Sequence, residues 1–274
     1  MSSIRRILED LVAGRISVDE AEKKLKLYSI EEIGEKVKFD LSREVRRGVP
    51  EIVFAEHKDA DVLKSIIERV LEKNGRVIVS RLREDQFAII DEFAERYDVR
   101  VNHVGRIAVV KKHGVGTEEC EGKVGIVTAG TADIPLAEEA KVIVEEMGCK
   151  TVTVYDAGIA CFMRTVNAVK KLVEEQVDVV IVIAGMEGAL PSVIASLLDV
   201  PVIGVPASKG YGLGGGGIAA LLSMLQACPL GLLVVNIDNS VGAAVAAAMI
   251  ARRVGKFKIT RQEKSCSRQQ TKQL

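Results

Sequence analysis

The stretch Val179-Val-Ile-Val-Ile-Ala184-Gly185-Met186-Glu187-Gly188-Ala189-Leu190-Pro191 decides the fold. Six apolar residues, five of them β-branched, run without polar alternation. A strand of that kind is buried on both faces, which implies a parallel sheet with helices on each side. Two glycines then bracket Met-Glu, and Leu-Pro opens a helical pattern through Leu198. That is a strand-to-helix turn with proline at the start of the helix.

The same rhythm repeats on both sides of this stretch. Apolar strands are expected at Lys123–Thr128, Thr151–Tyr155, Val202–Val205 and Leu232–Ile237. Helical patterns lie at Ile134–Met147, Phe162–Gln176, Ile218–Ala227 and Gly242–Val254. Together they predict an α/β domain over residues 119–255, built on a doubly wound parallel sheet. Residues 1–118 predict a smaller N-terminal α/β domain with a helical start of about forty residues. In it, Ile4–Val12 is amphipathic and Ser17 caps a helix through Leu27. A strand at Glu51–Ala55, a helix at Asp59–Lys73, a strand at Arg76–Val79, a helix at Glu84–Tyr97 and one or two strands over Val99–Lys112 follow. Residues 256–274, polar, basic and Gln-rich, predict a disordered tail.

Composition narrows the function classes. Lys plus Arg and Asp plus Glu are both 38, so no global basic field exists to attract nucleic acid. Met1–Asp10 has no apolar signal core, and the apolar region 179–251 is broken by prolines and glycines, so no membrane segment is expected. Five scattered cysteines without a CxxC pair suit a reducing compartment, with the cytoplasm as the expected location. Three dispersed histidines, His57, His103 and His113, do not suggest a metal site.

In parallel α/β sheets, ligands bind beyond the carboxyl ends of the strands. From Val179 to Ala251 only Glu187, Asp199, Lys209 and Asp238 are charged. Glu187, Lys209 and Asp238 each follow a strand end and should share one rim, whereas Asp199 reads as a solvated turn residue on the opposite edge. Thr131 and Asp133 stand at a helix start whose N–H groups could hold a phosphate or simply be capped. Glu187, between Gly185 and Gly188, reads as a general base, with a helix-start partner as the alternative. Gly210–Gly215 fits GxGxxG, but it follows the fourth strand, not the first. A backbone that closely approaches a ligand or a neighbouring subunit explains it better than a dinucleotide fingerprint. Cys228 ends a helix before Pro229 and by composition alone reads as a small buried residue.

The order of these motifs resembles the PurE-like family of carboxyaminoimidazole ribonucleotide mutases over Lys123–Ala251. Those mutases carry a histidine in a Ser-Ala-His-Arg motif after the second strand. Here that place reads Asp156-Ala-Gly158-Ile-Ala-Cys-Phe-Met-Arg164, and no histidine follows His113. The chain is more similar to the LarB family of pyridinium-3,5-biscarboxylic acid mononucleotide synthases, which pair a small N-terminal domain with a PurE-like one. The carrying motifs are Gly185-Met186-Glu187-Gly188-Ala-Leu-Pro-Ser192, Gly210-Tyr211-Gly212, Met224-Leu-Gln-Ala-Cys228, Val235-Asn-Ile-Asp238-Asn239 and Arg47-Gly-Val-Pro-Glu51.

The resemblance implies a flavodoxin-like, three-layer PurE-like fold and the first step of nickel-pincer nucleotide biosynthesis. Nicotinic acid adenine dinucleotide would be carboxylated on its pyridinium ring and its phosphoanhydride cleaved, releasing AMP. Carbon dioxide or bicarbonate would be the co-substrate. No tightly bound cofactor is expected, and a magnesium requirement is left open. Cys228 would be the nucleophile and Glu187 the acid/base group. Thr131, Asp133, Asp156, Gly158, Arg164, Gly185, Met186, Gly188, Ser208, Lys209, Gly210, Tyr211, Gly212 and Asp238 would contact substrate.

A pyridinium ring is electron-poor and does not attack carbon dioxide. Addition of a thiolate para to the nitrogen makes an enamine, nucleophilic at the neighbouring carbon; a base later removes the proton there and the thiolate leaves. Cys228 follows a helix and so belongs at the amino edge of the sheet, opposite Glu187. The two can meet only across subunits, so a homo-oligomer with shared sites is expected, an octamer by the resemblance. The alternatives are a PurE-type mutase or carboxylase of purine biosynthesis, and a non-catalytic nucleotide-binding regulator.

Overall fold

The computed structural model describes residues 3–25, 31–33, 37–39 and 48–270. Contacts divide the chain into two compact units. The first takes residues up to Val79 with 84–99 and 109–115; the second takes 80–83, 100–108 and the chain from Gly116 onward.

In the first unit, α1 (Ser3–Val12) and α2 (Val18–Leu25) are joined by a turn that Ser17 ends. The Ser17 hydroxyl accepts the Glu20 N–H at 3.2 Å, and the Glu20 carboxylate accepts the Ser17 N–H at 3.0 Å. This is a reciprocal capping box, which fixes where α2 begins. The expected end of this helix, Leu27, lies outside the described residues, as does Arg47 of the N-terminal motif. The helical reading of the first forty residues is corrected at residues 31–33 and 37–39. There β1 (Glu31–Ile33) and β2 (Val37–Phe39) pair antiparallel, as alternating Ile33, Val37 and Phe39 permit.

A four-stranded sheet follows, in the order β3 (Ile52–Phe54), β4 (Arg76–Ser80), β6 (Ile107–Lys111), β5 (Asp98–Asn102). Helix α3 (Ala60–Asn74) buries Leu63, Ile66, Ile67, Val70 and Leu71, a single apolar stripe at helical spacing. The helix expected over Glu84–Tyr97 is broken: α4 (Phe87–Glu92) is flanked by 3-10 turns at Glu84–Gln86 and Phe93–Glu95.

The second unit carries five parallel strands: β7 (Lys123–Thr128), β8 (Lys150–Val154), β9 (Val179–Ala184), β10 (Val202–Pro206) and β11 (Leu232–Val234). Their order is β8-β7-β9-β10-β11, the flavodoxin-like arrangement, and every neighbouring pair is parallel. The connecting helices are α5 (Ile134–Glu146), α6 (Phe162–Glu174), α7 (Leu190–Ala195), α8 (Ile218–Leu225) and α9 (Ser240–Gln270).

Strand β9 is buried at all six positions, as its unbroken apolar run requires. Val180, Val182 and Ala184 face a cluster with Leu172 of α6, Ile194 of α7 and Met224 of α8. Helices α5 and α9 cover the other face. The sheet is therefore three-layered and doubly wound. Asp199 is exposed before β10, as a solvated turn residue should be. Strand β11 is shorter than expected: after Val234 the chain keeps isolated backbone bonds, Val235 N–H to Gly204 and Asp238 N–H to Pro206.

The disordered reading of residues 256–274 is corrected as far as Gln270, because α9 runs on to that residue. Lys, Arg, Gln and Glu favour a helix, and neither Gly nor Pro interrupts the sequence after Gly255. Residues 271–274 lie outside the described residues. No helix among the described residues is long and apolar enough to cross a membrane.

Candidate active site

A cavity of about 490 Å³ opens beyond the carboxyl ends of β7 to β10. Each strand contributes the first residues of its following loop. These are Ala129, Gly130, Ala132 and Asp133 after β7, Gly158 to Ala160 after β8, Gly185, Met186, Glu187, Ala189 and Leu190 after β9, and Lys209 to Tyr211 after β10. Most of the wall is alanine, glycine, leucine and isoleucine, the mainly apolar lining common to small-molecule pockets. Polar side chains come from Asp133, Glu187, Lys209 and Tyr211.

The backbone around this rim is under constraint. Asp156, Met186 and Asp238 adopt left-handed φ values of 56°, 52° and 56°, each just past a strand's carboxyl end. Such conformations cost energy in residues with a Cβ and concentrate at functional sites. Gly188 is the residue its turn demands. Its φ is +63°, and a Cβ there would stand 2.7 Å from the Ala220 carbonyl oxygen.

Of the expected site residues, Asp133, Gly158, Gly185, Met186, Glu187, Lys209, Gly210 and Tyr211 line the cavity together. Glu187 and Lys209 are exposed to its solvent side, and Tyr211, 81% exposed, stands at the mouth. Asp133 is 4% exposed and its carboxylate accepts the Gly130 N–H at 2.9 Å. Burial pushes its pKa above the ordinary carboxylate range, against the Gly130 hydrogen bond and the nearby Lys209 cation. Its carboxylate thus caps the turn that opens at Gly130.

Thr131, Asp156, Arg164, Gly188, Ser208, Gly212 and Asp238 stand outside the cavity wall. Asp156 and Arg164 form an ion pair beside it. Asp238 accepts the Ser208 N–H at 2.8 Å, and Arg81 donates to the Asp238 carbonyl at 2.6 Å, so the β11 loop is tied down from two directions. Arg81 was not picked out by sequence, because it is distant in the chain from the motif it holds. The apolar wall residues Ala129, Ala132, Ile159, Ala160 and Leu190 were also missed; their position directly after strand ends was the available signal.

Cys228 is exposed in the connection between α8 and β11. Leu232 pairs with Val202 at the start of β10, so this connection lies at the amino edge of the sheet. Glu187 lies past the carboxyl end of β9, on the opposite edge. The five residues of β10 alone span about 17 Å. Within one protomer the thiol and the carboxylate do not share a site.

A family model described as AIR carboxylase matches residues 123–273, more than half of the chain. The chain belongs to the AIR carboxylase family. A second model, described as LarB/PurE-like N-terminal domain, matches residues 30–112. Uncharacterized protein MJ0165 of Methanocaldococcus jannaschii is 45% identical over 254 residues, covering 91% of this chain and 97% of that protein. The N5-carboxyaminoimidazole ribonucleotide mutase of Pyrococcus horikoshii is 39% identical over 134 residues, 46% of this chain and 71% of the mutase. The mutase of the same name from Methanocaldococcus jannaschii is 35% identical over 127 residues, 46% of this chain and 76% of the mutase. Two features of this chain stand beside that match. Residues 30–112 match the N-terminal domain model, and no histidine follows His113 in the sequence.

Proposed function

We propose that this protein carboxylates the pyridinium ring of nicotinic acid adenine dinucleotide and cleaves its phosphoanhydride. The products are pyridinium-3,5-biscarboxylic acid mononucleotide and AMP, at the entry to nickel-pincer nucleotide synthesis. The observation that carries the reading is the set of groups available. The cavity supplies Glu187 and Lys209 but no histidine, and the catalytic half supplies Cys228 as an exposed thiol. An aminoimidazole already bears an enamine-like carbon and needs no thiol; a pyridinium must be made nucleophilic first, and a thiolate does that. The match to a LarB/PurE-like N-terminal domain supports the same reading.

Each group has one task in this scheme. Cys228 adds to the ring carbon para to the nitrogen. The neighbouring carbon attacks carbon dioxide, Glu187 takes the proton from that carbon, and the thiolate leaves as the ring regains aromaticity. Lys209 at the rim suits the substrate's anionic groups. Because Cys228 and Glu187 occupy opposite sheet edges, the site forms between protomers. The exposed apolar residues Ile218, Leu222 and Leu225 of α8, with Leu230 and Leu233 at the β11 edge, supply a surface for that association. An octamer is the assembly we infer.

The mutase reading has an observation of its own, the identity to named N5-carboxyaminoimidazole ribonucleotide mutases over the catalytic half. One experiment separates the two. Purified protein is incubated with nicotinic acid adenine dinucleotide and bicarbonate, and separately with N5-carboxyaminoimidazole ribonucleotide. Release of AMP with a carboxylated pyridinium product supports the synthase. Conversion of the imidazole with no AMP from the dinucleotide supports the mutase. Binding of either nucleotide without turnover supports a regulator.

A further inference from the structure

The amino edge of the five-stranded sheet holds a second arrangement of cysteines. Cys120 lies in the segment leading into β7, and Cys149 lies in the turn between α5 and β8. Their sulfurs are 3.1 Å apart. The backbone imposes this proximity. Cys120 N–H donates to Gly148 O at 2.8 Å, and Lys150 N–H donates to Gly122 O at 3.0 Å. The two segments thus extend the β7–β8 register in which Lys123 pairs with Lys150. Gly148 makes the turn possible: its φ is +83°, and a Cβ would fall 2.0 Å from Glu118 O.

The two sulfurs are unequally accessible. Cys149 is 4% exposed, and burial, followed by contact with Cys120, pushes its thiol well up from the ordinary value. Cys120 is partly exposed and lines a cleft of about 320 Å³ with Thr117, Glu119, Glu145 and Lys150. Neither sulfur lies near the carboxyl-edge cavity. An S–S bond is about 2 Å long, so closure asks for a shift of roughly 1 Å.

We propose that Cys120 and Cys149 are a reversible disulfide site, oxidised by a small-molecule disulfide that enters at Cys120. The Cys120 thiolate attacks one sulfur of that molecule; its S–S bond breaks, one thiolate departs, and a mixed disulfide remains on Cys120. Cys149 then gives its proton to solvent and attacks the Cys120 sulfur, expelling the second thiolate. The protein loses two electrons, and the small molecule becomes two thiols. The new bond ties the chain entering β7 to the turn entering β8 and leaves the opposite rim untouched. Its expected consequence is greater resistance to unfolding at unchanged catalytic rate.

The test uses the full chain, incubated with excess oxidised glutathione, denatured, alkylated and mapped by mass spectrometry without reduction. Of the five cysteines in the chain, one cross-linked peptide pair should contain Cys120 and Cys149, and the other three should be found alkylated or carrying a single glutathione. The melting temperature should rise by several degrees and fall back on reduction. Cys120→Ser, at the partly exposed position, should abolish both changes while leaving the buried Cys149 in place. Closure should accelerate as pH rises, because Cys149 must lose its proton. Alkylation of all five cysteines, a mixed disulfide persisting on Cys120, or cross-links that join either residue to Cys161 or Cys228 would each overturn the proposal.

Discussion

The two edges of the five-stranded sheet differ in kind. The carboxyl edge carries loops with left-handed Asp156, Met186 and Asp238, a mostly apolar cavity and most of the expected substrate groups. The amino edge carries tight turns, three of the chain's cysteines and a connection that exposes Cys228. Parallel strands force this division: every strand-to-helix loop falls at one edge, every helix-to-strand turn at the other. Chemistry that needs one group from each edge therefore needs two copies of the sheet.

The largest expected effect tests the amino edge. Cys228→Ser should abolish formation of carboxylated product, measured with nicotinic acid adenine dinucleotide and bicarbonate, whereas Cys149→Ser and Cys161→Ser should keep it. Full activity in Cys228→Ser would confine the chemistry to the carboxyl edge. Next, Glu187→Gln should slow turnover by about a hundredfold or more at unchanged assembly, within the range for loss of a general base. Near-normal turnover would leave Glu187 with only a structural part in its turn.

The comparison sharpens when the two variants are mixed. Cys228→Ser and Glu187→Gln protomers, dissociated and reassembled together, should regain part of the activity that each lacks alone. Sites made across protomers then sometimes hold both intact residues. Complete sites within each protomer would give no recovery. The smallest effect concerns backbone strain. Met186→Gly relieves a left-handed residue and should stabilise the second unit by about 1 kcal/mol in denaturant unfolding, while lowering turnover because the loop loses its fixed shape.

The second unit's strands were legible to within a residue or two at most ends, because runs such as Val179–Ala184 have only one reading in a covered parallel sheet. The opposed placement of Cys228 and Glu187 followed from the same rule. Other elements were not legible. Strands β1 and β2 are three residues each, too short for period-two alternation to outweigh the helical pattern before them. The end of α9 has no apolar stripe, so its helical preference was hidden in a polar composition. Which strand-end residues turn into the cavity depends on loop backbones, and so Thr131 and Gly212 were grouped with Asp133 and Gly210. Cys120 and Cys149 are distant in sequence, and only the β7–β8 register brings them together.

Helix α5 carries a carboxylate that the chemistry above does not use. Glu139 is 2% exposed, and it accepts hydrogen bonds from Ser80 and Ser240. Burial raises its pKa above 4.5, a shift that the two serines and the nearby Arg81 and Arg106 oppose. A carboxyl group of this kind makes folding a proton-uptake reaction between its unfolded and folded pKa values. Its contribution to stability is complete below the unfolded value and is lost as pH rises through the folded one. Calorimetric unfolding in buffers of different ionisation enthalpy should register that proton as part of a buffer-dependent heat, which should be smaller in Glu139→Gln. An equal heat in both proteins would mean that Glu139 is already ionised in the fold, and its burial would then rest on the two serines and two arginines alone.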